Sequence, residues 1–269
     1  ESAAIAAPYA TKLIRNPANL GFAAAVNQGI AASSGRFVQL VNPDCFLALD
    51  YCETLMRAFD SERVGMATGK LLLADAPALI DSKGIRMTRS GRHLDIGQGR
   101  PDEKSTENTE VFGVSGAAAM YSREFLADVA IDGEIFDEDF FAYREDADLS
   151  WRGRIFGWRA MYVPAAVAHH VRRVTPERRR SLPPSINMHS VKNRFLLRLK
   201  NEGGYLALRN LPFEIGRDLV TIGAVLTIER TSLPAFGWLW RNRGRIASKR
   251  RAIQRRRRVS DRALAGWFR

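Results

Sequence analysis

Cysteine is scarce in this chain, with only Cys45 and Cys52 among 269 residues. Two thiols are too few for a disulfide framework and show no metal-ligand spacing, which favours a reducing compartment. Long apolar runs are missing too. None reaches the roughly 18–20 residues that span a bilayer, and the nearest candidate, Leu219 to Trp240, is broken by Glu229, Arg230 and Pro234. There is no internal repeat, and the residues from Glu1 onward do not read as a signal peptide. The chain opens on Glu1 rather than Met, so we expect the natural N-terminus to lie further upstream. Acids are almost absent from the last segment: Arg241–Arg269 holds 12 Arg and Lys against one acid, Asp261, and so carries +11 of the formal net charge of +12. A segment of that kind is an electrostatic footprint for phosphate, of nucleic acid or of anionic lipid headgroups. The remainder is ordinary in composition, at 46% hydrophobic, and long enough for one large α/β domain with an appendage.

Against this basic background one stretch is acidic. Residues 137–148 contain six carboxylates, with Phe140, Phe141 and Tyr143 threaded between them. A helix over 145–156 puts Glu145, Leu149 and Arg152 on one face and Asp146 in the first turn. There the free N–H groups and the helix dipole favour an ionised carboxylate, suited to act as a general base on an alcohol. The plain alternative is a solvated acidic loop leading into a capped helix.

In chain order, Thr11–Arg15 reads as a short strand, Gly21–Ser33 as an Ala-rich helix, and Phe37–Val41 as a buried strand stopped by Asn42-Pro43-Asp44. Polar residues at the carboxyl end of such a strand occupy the ligand side of an open α/β sheet. A helix over 50–60 and a strand over 64–73 follow. Residues 75–110 read as a surface excursion with a hairpin near 85–92. The apolar run 111–121 contains Gly113, Ser115 and Gly116, which suggests backbone approached closely by another group. Ser122 caps a short helix. A strand at 158–163, Pro164 and a second strand-like piece lead to His169-His170. Helices over 185–200 and 205–228 precede the Arg-rich tail. Asp44, one imidazole of the His pair and diphosphate oxygens would together make an octahedral site for Mg²⁺ or Mn²⁺.

Five motifs in this order resemble the bacterial family-2 glycosyltransferases, and most closely the rhamnosyltransferase-like enzymes of surface-polysaccharide assembly. They are Asn19-Leu20-Gly21 through Asn27-Gln28-Gly29, Leu40-Val41-Asn42-Pro43-Asp44, Val114-Ser115-Gly116-Ala117, Glu145-Asp146-Ala147-Asp148-Leu149-Ser150-Trp151-Arg152, and Gly157-Trp158 with Val163-Pro164 leading to His170. The resemblance covers roughly residues 12–200. It implies a GT-A-type, Rossmann-like mixed sheet flanked by helices over residues 1–200, followed by a helical, basic extension over 201–269. It also implies inverting transfer of a sugar, rhamnose among the candidates, from a nucleotide-diphosphate donor to a lipid-linked or polysaccharide acceptor in cell-wall glycan synthesis.

On the same resemblance, Asp146 is the general base with Glu145 beside it. Asn19, Gly21, Asn27, Asn42, Asp44 and Gly116 line the donor pocket, Asp44 and His170 hold the metal with His169 as the rival ligand, and Asp148, Trp151 and Arg152 meet the acceptor. Asn42 stands where the family's metal motif often has its first acid. The Gln-x-x-Arg-Trp signature of processive synthases is absent, which implies one sugar per encounter. The strands that hold the nucleobase in the family would precede Glu1, so a sheet edge is expected to lie open there.

For the tail, Trp238, Leu239, Trp240, Trp267 and Phe268 interleave with Arg clusters as in interfacial helices. This reading places the enzyme peripherally on an anionic membrane, at the cytoplasmic face, through 241–269. A solvated basic tail is the rival. A nucleic-acid-binding protein using Arg255–Arg258 explains only the tail. A sugar nucleotidyltransferase would want a Gly-rich phosphate loop with a following Lys, and none is present.

Overall fold

The computed structural model describes residues 2–172 and 183–269. It begins with a short helix α1 (Ser2–Ala6), an exposed irregular segment and helix α2 (Phe22–Ala31). Thr11–Arg15 forms no strand. The segment is exposed and finds no neighbouring strand, and an extended segment without a ladder is not stable by itself.

The sheet is mixed. Its strands are β1 (Phe37–Val41), β2 (Cys45–Leu47), β3 (Val64–Leu73), β4 (Ala76–Ser82), β7 (Thr109–Val111), β8 (Ala118–Ser122) and β9 (Arg159–His170); β5 (Ile85–Met87) and β6 (His93–Asp95) form a separate hairpin. The order is β1-β8-β3-β9-β2, with β4 added to β3 and β7 to β9. Only the β3–β9 pair is parallel. β1 ends this path, and among the described residues no strand covers its outer side.

β3 is buried along nearly its whole length, as a central strand with neighbours on both sides must be, and its polar Thr68 and Lys70 are buried with it, Lys70 paired with Asp102 at 2.8 Å. Halfway along it the register slips: Gly69 faces Val163, but Lys70 faces Val167, so residues 164–166 bulge out of β9. Only glycine fits at the slip, because a Cβ on Gly69 would stand 2.2 Å from the carbonyl oxygen of Ala166. The hydroxyl of Tyr51, from helix α3 (Tyr51–Met56), accepts from the Gly69 N–H at 3.0 Å and donates to the Ala118 carbonyl at 2.7 Å. Beyond the bulge the strand keeps its alternation, so His170 is buried while His169 turns to the other face.

Alternation also splits the core. Ala67, Ala118 and Met120 pack with Tyr51 and Leu55 on one face. Met66, Ala119 and Tyr121 join helices α4 (Arg123–Val129) and α5 (Glu145–Ile155) on the other. The Ser122 side chain caps α4 by accepting from the Phe125 N–H, as its position predicts. The stretch 75–110 is less irregular than its sequence suggests, since β4 extends the sheet and carries Asp81 and Ser82 into full burial.

After α6 (Pro184–Asn201) come α7 (Gly204–Thr227), α8 (Pro234–Arg241), α9 (Arg243–Arg255) and α10 (Asp261–Leu264). The tail is helical as expected but not detached. Ile246, Ile253, Leu264 and Phe268 lie in the same core as the sheet, with Trp238, Leu239 and Trp267 packed against it. The hydrophobic core thus runs across residue 200. The apolar residues meant to meet lipid are, Trp240 apart, taken up by the protein itself. Nor is Arg255–Arg258 a free row for phosphate: Arg256 and Arg258 pair with Asp128, and Arg257 with Asp261.

Candidate active site

Two clusters form at the carboxyl ends of β1 and β9 and at the start of α5. In the first, the turn after β1 is closed by Cys45 N–H donating to the Asn42 carbonyl at 3.0 Å, while the Asn42 N–H reaches the Ala117 carbonyl at 2.8 Å. This aims Asp44 at β9, where its Oδ1 lies 3.4 Å from His170 Nε2. The other ring nitrogen, Nδ1, is 2.8 Å from Oδ2 of Asp81, which is completely buried. Asp81 also binds Arg172, whose guanidinium reaches Asp95 at 2.7 Å. Burial alone would raise the Asp81 carboxyl, but His170 and Arg172 together hold it below the usual range.

An ionised Asp81 accepts a hydrogen bond from Nδ1–H, which leaves the Nε2 lone pair facing Asp44. Carboxylate, imidazole and an outer carboxylate fixing the ring form the donor set that holds divalent metals in proteins. Among the described residues no three His, Cys, Asp or Glu side chains are placed to hold one metal ion together, so an ion at Asp44 and His170 would need its remaining ligands from phosphate and water. His169, paired across from Phe46, faces away from this cluster.

The second cluster centres on Asp146. Its Oδ2 accepts from the Gly116 N–H at 3.0 Å and its Oδ1 from the Ala147 N–H at 2.7 Å. Burial outweighs these two bonds, and the nearby Asp95 adds to it, so the carboxyl titrates above its ordinary value. Asp95 thus stands between the clusters, paired with Arg172 on one side and felt by Asp146 on the other. Glu145 is raised to about 8, first by burial and then by Asp146 and Asp148, and its Oε2 has no hydrogen-bond partner.

The backbone before the base is strained. Phe141 (φ 65°, ψ −65°) makes a γ-turn, with Ala142 N–H donating to the Phe140 carbonyl at 2.8 Å; Tyr143 and Arg144 also have positive φ. The fully buried Asn193 of α6 holds this loop. Its amide nitrogen lies 2.9, 2.8 and 2.8 Å from the carbonyls of Phe140, Ala142 and Tyr143. The ring of His189, one turn earlier, stacks on Phe141 at 4.6 Å. From the other side Gly21 presses on Phe141, leaving no room for a Cβ.

The remaining expectations divide. Gly116 touches Asp146. Asn19 accepts from the Gly21 N–H and Gly21 abuts the loop, which places both beside the base cluster. Asn27 is used differently. Its amide exchanges two hydrogen bonds with the Phe136 backbone, at 2.8 and 2.9 Å, and fastens α2 to the acidic stretch. Asp148, Trp151 and Arg152 are fully buried and cannot meet an acceptor. Asp148 binds Arg152, Lys200 and Asn201; Arg152 also reaches the carbonyls of Val129 and Ile135; Trp151 packs on Phe112 and Phe268.

Nor is the acidic stretch a solvated loop. Asp137 sits between Lys200 and Lys249, and Lys249 also lies 2.9 Å from Glu134 and 3.2 Å from Asp139. The excess acids of 134–148 are answered by buried cations of α6 and α9. Sequence reading missed Asp81, Asp95, Arg172 and Asn193. One signal was there: Arg172 stands two residues after His170, on the same side of an extended chain.

Residues 1–130 match the family described as Glycosyl transferase family 2. No curated protein matches the chain. Among solved structures, the crystal structure of GalNAc-T7 with UDP, GalNAc and Mn²⁺ matches with a TM-score of 0.55 at 17% identity, over 73% of this chain. The chain covers 39% of that protein's length. Over its first 130 residues, then, this chain carries the sequence pattern of glycosyl transferase family 2, and over the 73% that matches it takes a GT-A-type fold.

Proposed function

We propose that the protein is an inverting glycosyltransferase that moves one sugar per encounter from a nucleotide-diphosphate donor to an acceptor hydroxyl. The observation that carries this reading is the meeting of Asp44 and His170 at 3.4 Å, with the imidazole oriented from behind by buried Asp81. These two side chains would hold a divalent ion, Mg²⁺ or Mn²⁺. When bound, the ion would draw off the negative charge that builds on the leaving diphosphate.

Asp146 acts from the second cluster. The acceptor oxygen bonds to C1 of the sugar as the C1–O bond to diphosphate breaks, and the acceptor proton passes to an Asp146 carboxylate oxygen. The Gly116 and Ala147 N–H groups hold that carboxylate at a fixed angle. Its raised pKa makes it a stronger base than a solvated aspartate, provided the medium is basic enough to keep it ionised. In this reading Asn42 and Gly116 border the diphosphate and the sugar, and Asn19 and Gly21 form the far wall. Rhamnose as the sugar, a polyprenyl-linked or glycan acceptor, and a place on the cytoplasmic face of a bacterial membrane in cell-wall polysaccharide synthesis are the finer parts of the proposal. They rest on the motif order together with the family match.

Titration with UDP, GDP and dTDP, each with Mn²⁺, tests the donor side. The reading expects one of the three to bind in a metal-dependent way and Asp44→Asn or His170→Ala to abolish that dependence. Equal binding by both variants would overturn it.

A further inference from the structure

A helix on the surface of a water-soluble protein turns its apolar stripe inward and its charges outward. α7 does the reverse. Asn210 and Glu214 are buried, Arg217 and Asp218 half-buried, and Arg198 of α6 lies 2.9 Å from Glu214 and 2.5 Å from Asp218. The outward side is apolar. Leu208 is 74% exposed, Leu219 65%, Val220 61% and Leu226 53%, with Leu211 and Ile215 close to half. At 3.6 residues per turn these six positions spread over roughly 180° of the helix.

That width decides what covers them. The seam presented to a second helix is a narrow stripe, whereas a hydrocarbon medium wets a whole side. Charge points the same way. No acidic residue between 204 and 255 is exposed, while Arg230, Arg241 and Arg243 are. Trp240 is exposed as well, with the Arg243 guanidinium 4.4 Å from its ring centre. Paired aromatic and basic groups beside an apolar face are what an interfacial helix presents to anionic headgroups. Among the described residues no helix is long and apolar enough to cross a membrane.

We propose that α7 lies in the surface of an anionic lipid bilayer, its outward side among the acyl chains and Arg230, Arg241 and Arg243 among the headgroups. This moves the apolar membrane contact from 241–269, whose apolar residues mostly serve the core, to α7, and leaves only Arg241 and Arg243 of that segment at the headgroups. The proposal stands on α7 and its flanks rather than on the reaction, so it can fail while the transfer chemistry holds, and the reverse.

Flotation of the full chain with vesicles tests it. The protein should rise with vesicles of phosphatidylglycerol in phosphatidylethanolamine, and less with phosphatidylcholine or at high salt. Leu219→Glu/Leu226→Glu, made at exposed positions and checked for unchanged circular dichroism, should lower partitioning by about a hundredfold. Arg241→Glu/Arg243→Glu should remove the preference for anionic lipid and leave residual binding. Protein that stays in the aqueous fraction with every vesicle would overturn the proposal, as would equal flotation of the Leu variant. A dimer that the Leu variant dissolves, seen by light scattering without any flotation, would put a second copy of the chain in the lipid's place.

Discussion

His170 Nδ1 and Asp81 Oδ2 meet at 2.8 Å, although 89 residues separate them and nothing in the sequence pairs them. Asp81 is sealed from solvent and shared with Arg172, so the imidazole has one orientation and one tautomer. If His170 holds the ion, loss of this outer partner weakens the metal without touching a ligand. Asp81→Asn should lower Mn²⁺ affinity about 10- to 100-fold, read by titration in the presence of nucleoside diphosphate. An unchanged affinity would show that His170 is not a ligand.

Asn193 is predicted to matter for turnover more than for binding. It spans the carbonyls of Phe140, Ala142 and Tyr143, the loop that delivers Asp146. Asn193→Ala strands buried carbonyls and should cost about 2–3 kcal/mol in a denaturant melt. It should also lower kcat about 10- to 100-fold through misplacement of the base, with the donor KM little changed. A loss confined to KM would contradict this positioning role.

The pH dependence of stability should carry two opposed contributions from this region. Burial, reinforced by Lys192, lowers His189 from 6.5 to about 4. The folded form then binds its proton less tightly than the unfolded chain. The stability this residue contributes is present above pH 6.5 and lost as the pH falls through about 4. Glu145 is shifted the other way, raised by burial and by Asp146, so its contribution is present at acid pH and lost as the pH climbs through its elevated value. His189→Gln should remove the rise of a urea-melt profile between about pH 4 and 6.5, and Glu145→Gln the opposing fall between about pH 4.5 and 8. Profiles that keep the parental slopes would remove the assignment.

The basic C-terminal segment should prove indispensable to folding. Phe268 is buried against Trp151 at 5.0 Å and Phe112 at 5.8 Å between ring centres. Phe268→Ala should cost about 3–5 kcal/mol. Lys249→Met, which leaves Asp137 facing one cation instead of two, should cost about 3–5 kcal/mol if the network cannot rearrange. Thermal melts check both. A chain cut at residue 200 that still unfolded cooperatively at the parental temperature would show the segment to be the separate extension its composition suggests.

Much of the scaffold is legible in the sequence because long periodic elements declare themselves. The strand β3 and the helix from Glu145 lie where the residues put them, while Pro164 marks a bulge within one continuous strand β9 rather than an end. Short strands do not: β2 and β5 are three residues each, too brief for any period to emerge. Asp81 looked like loop composition for a different reason: its strand β4 shows no alternation of buried and exposed residues, although Asp81 ends a buried edge of the sheet. Periodicity also carries no sign. The spacing of Asn210, Glu214, Arg217 and Thr221 marks one face of α7 but does not say which face meets the protein, and it was the polar one. The acidic stretch hid its partners for another reason. Lys200 and Lys249 are distant in sequence, and only folding shows that the excess of positive charge in the tail answers the excess of negative charge near Asp146.

The most direct test of the proposed chemistry is the rate of sugar transfer by Asp146→Asn in a protein that otherwise binds donor normally. The amide keeps the shape of the side chain and removes its basicity. The account predicts a fall in kcat of about 10²- to 10⁴-fold, with metal-dependent binding of the nucleoside diphosphate unchanged. Transfer at the parental rate would contradict it.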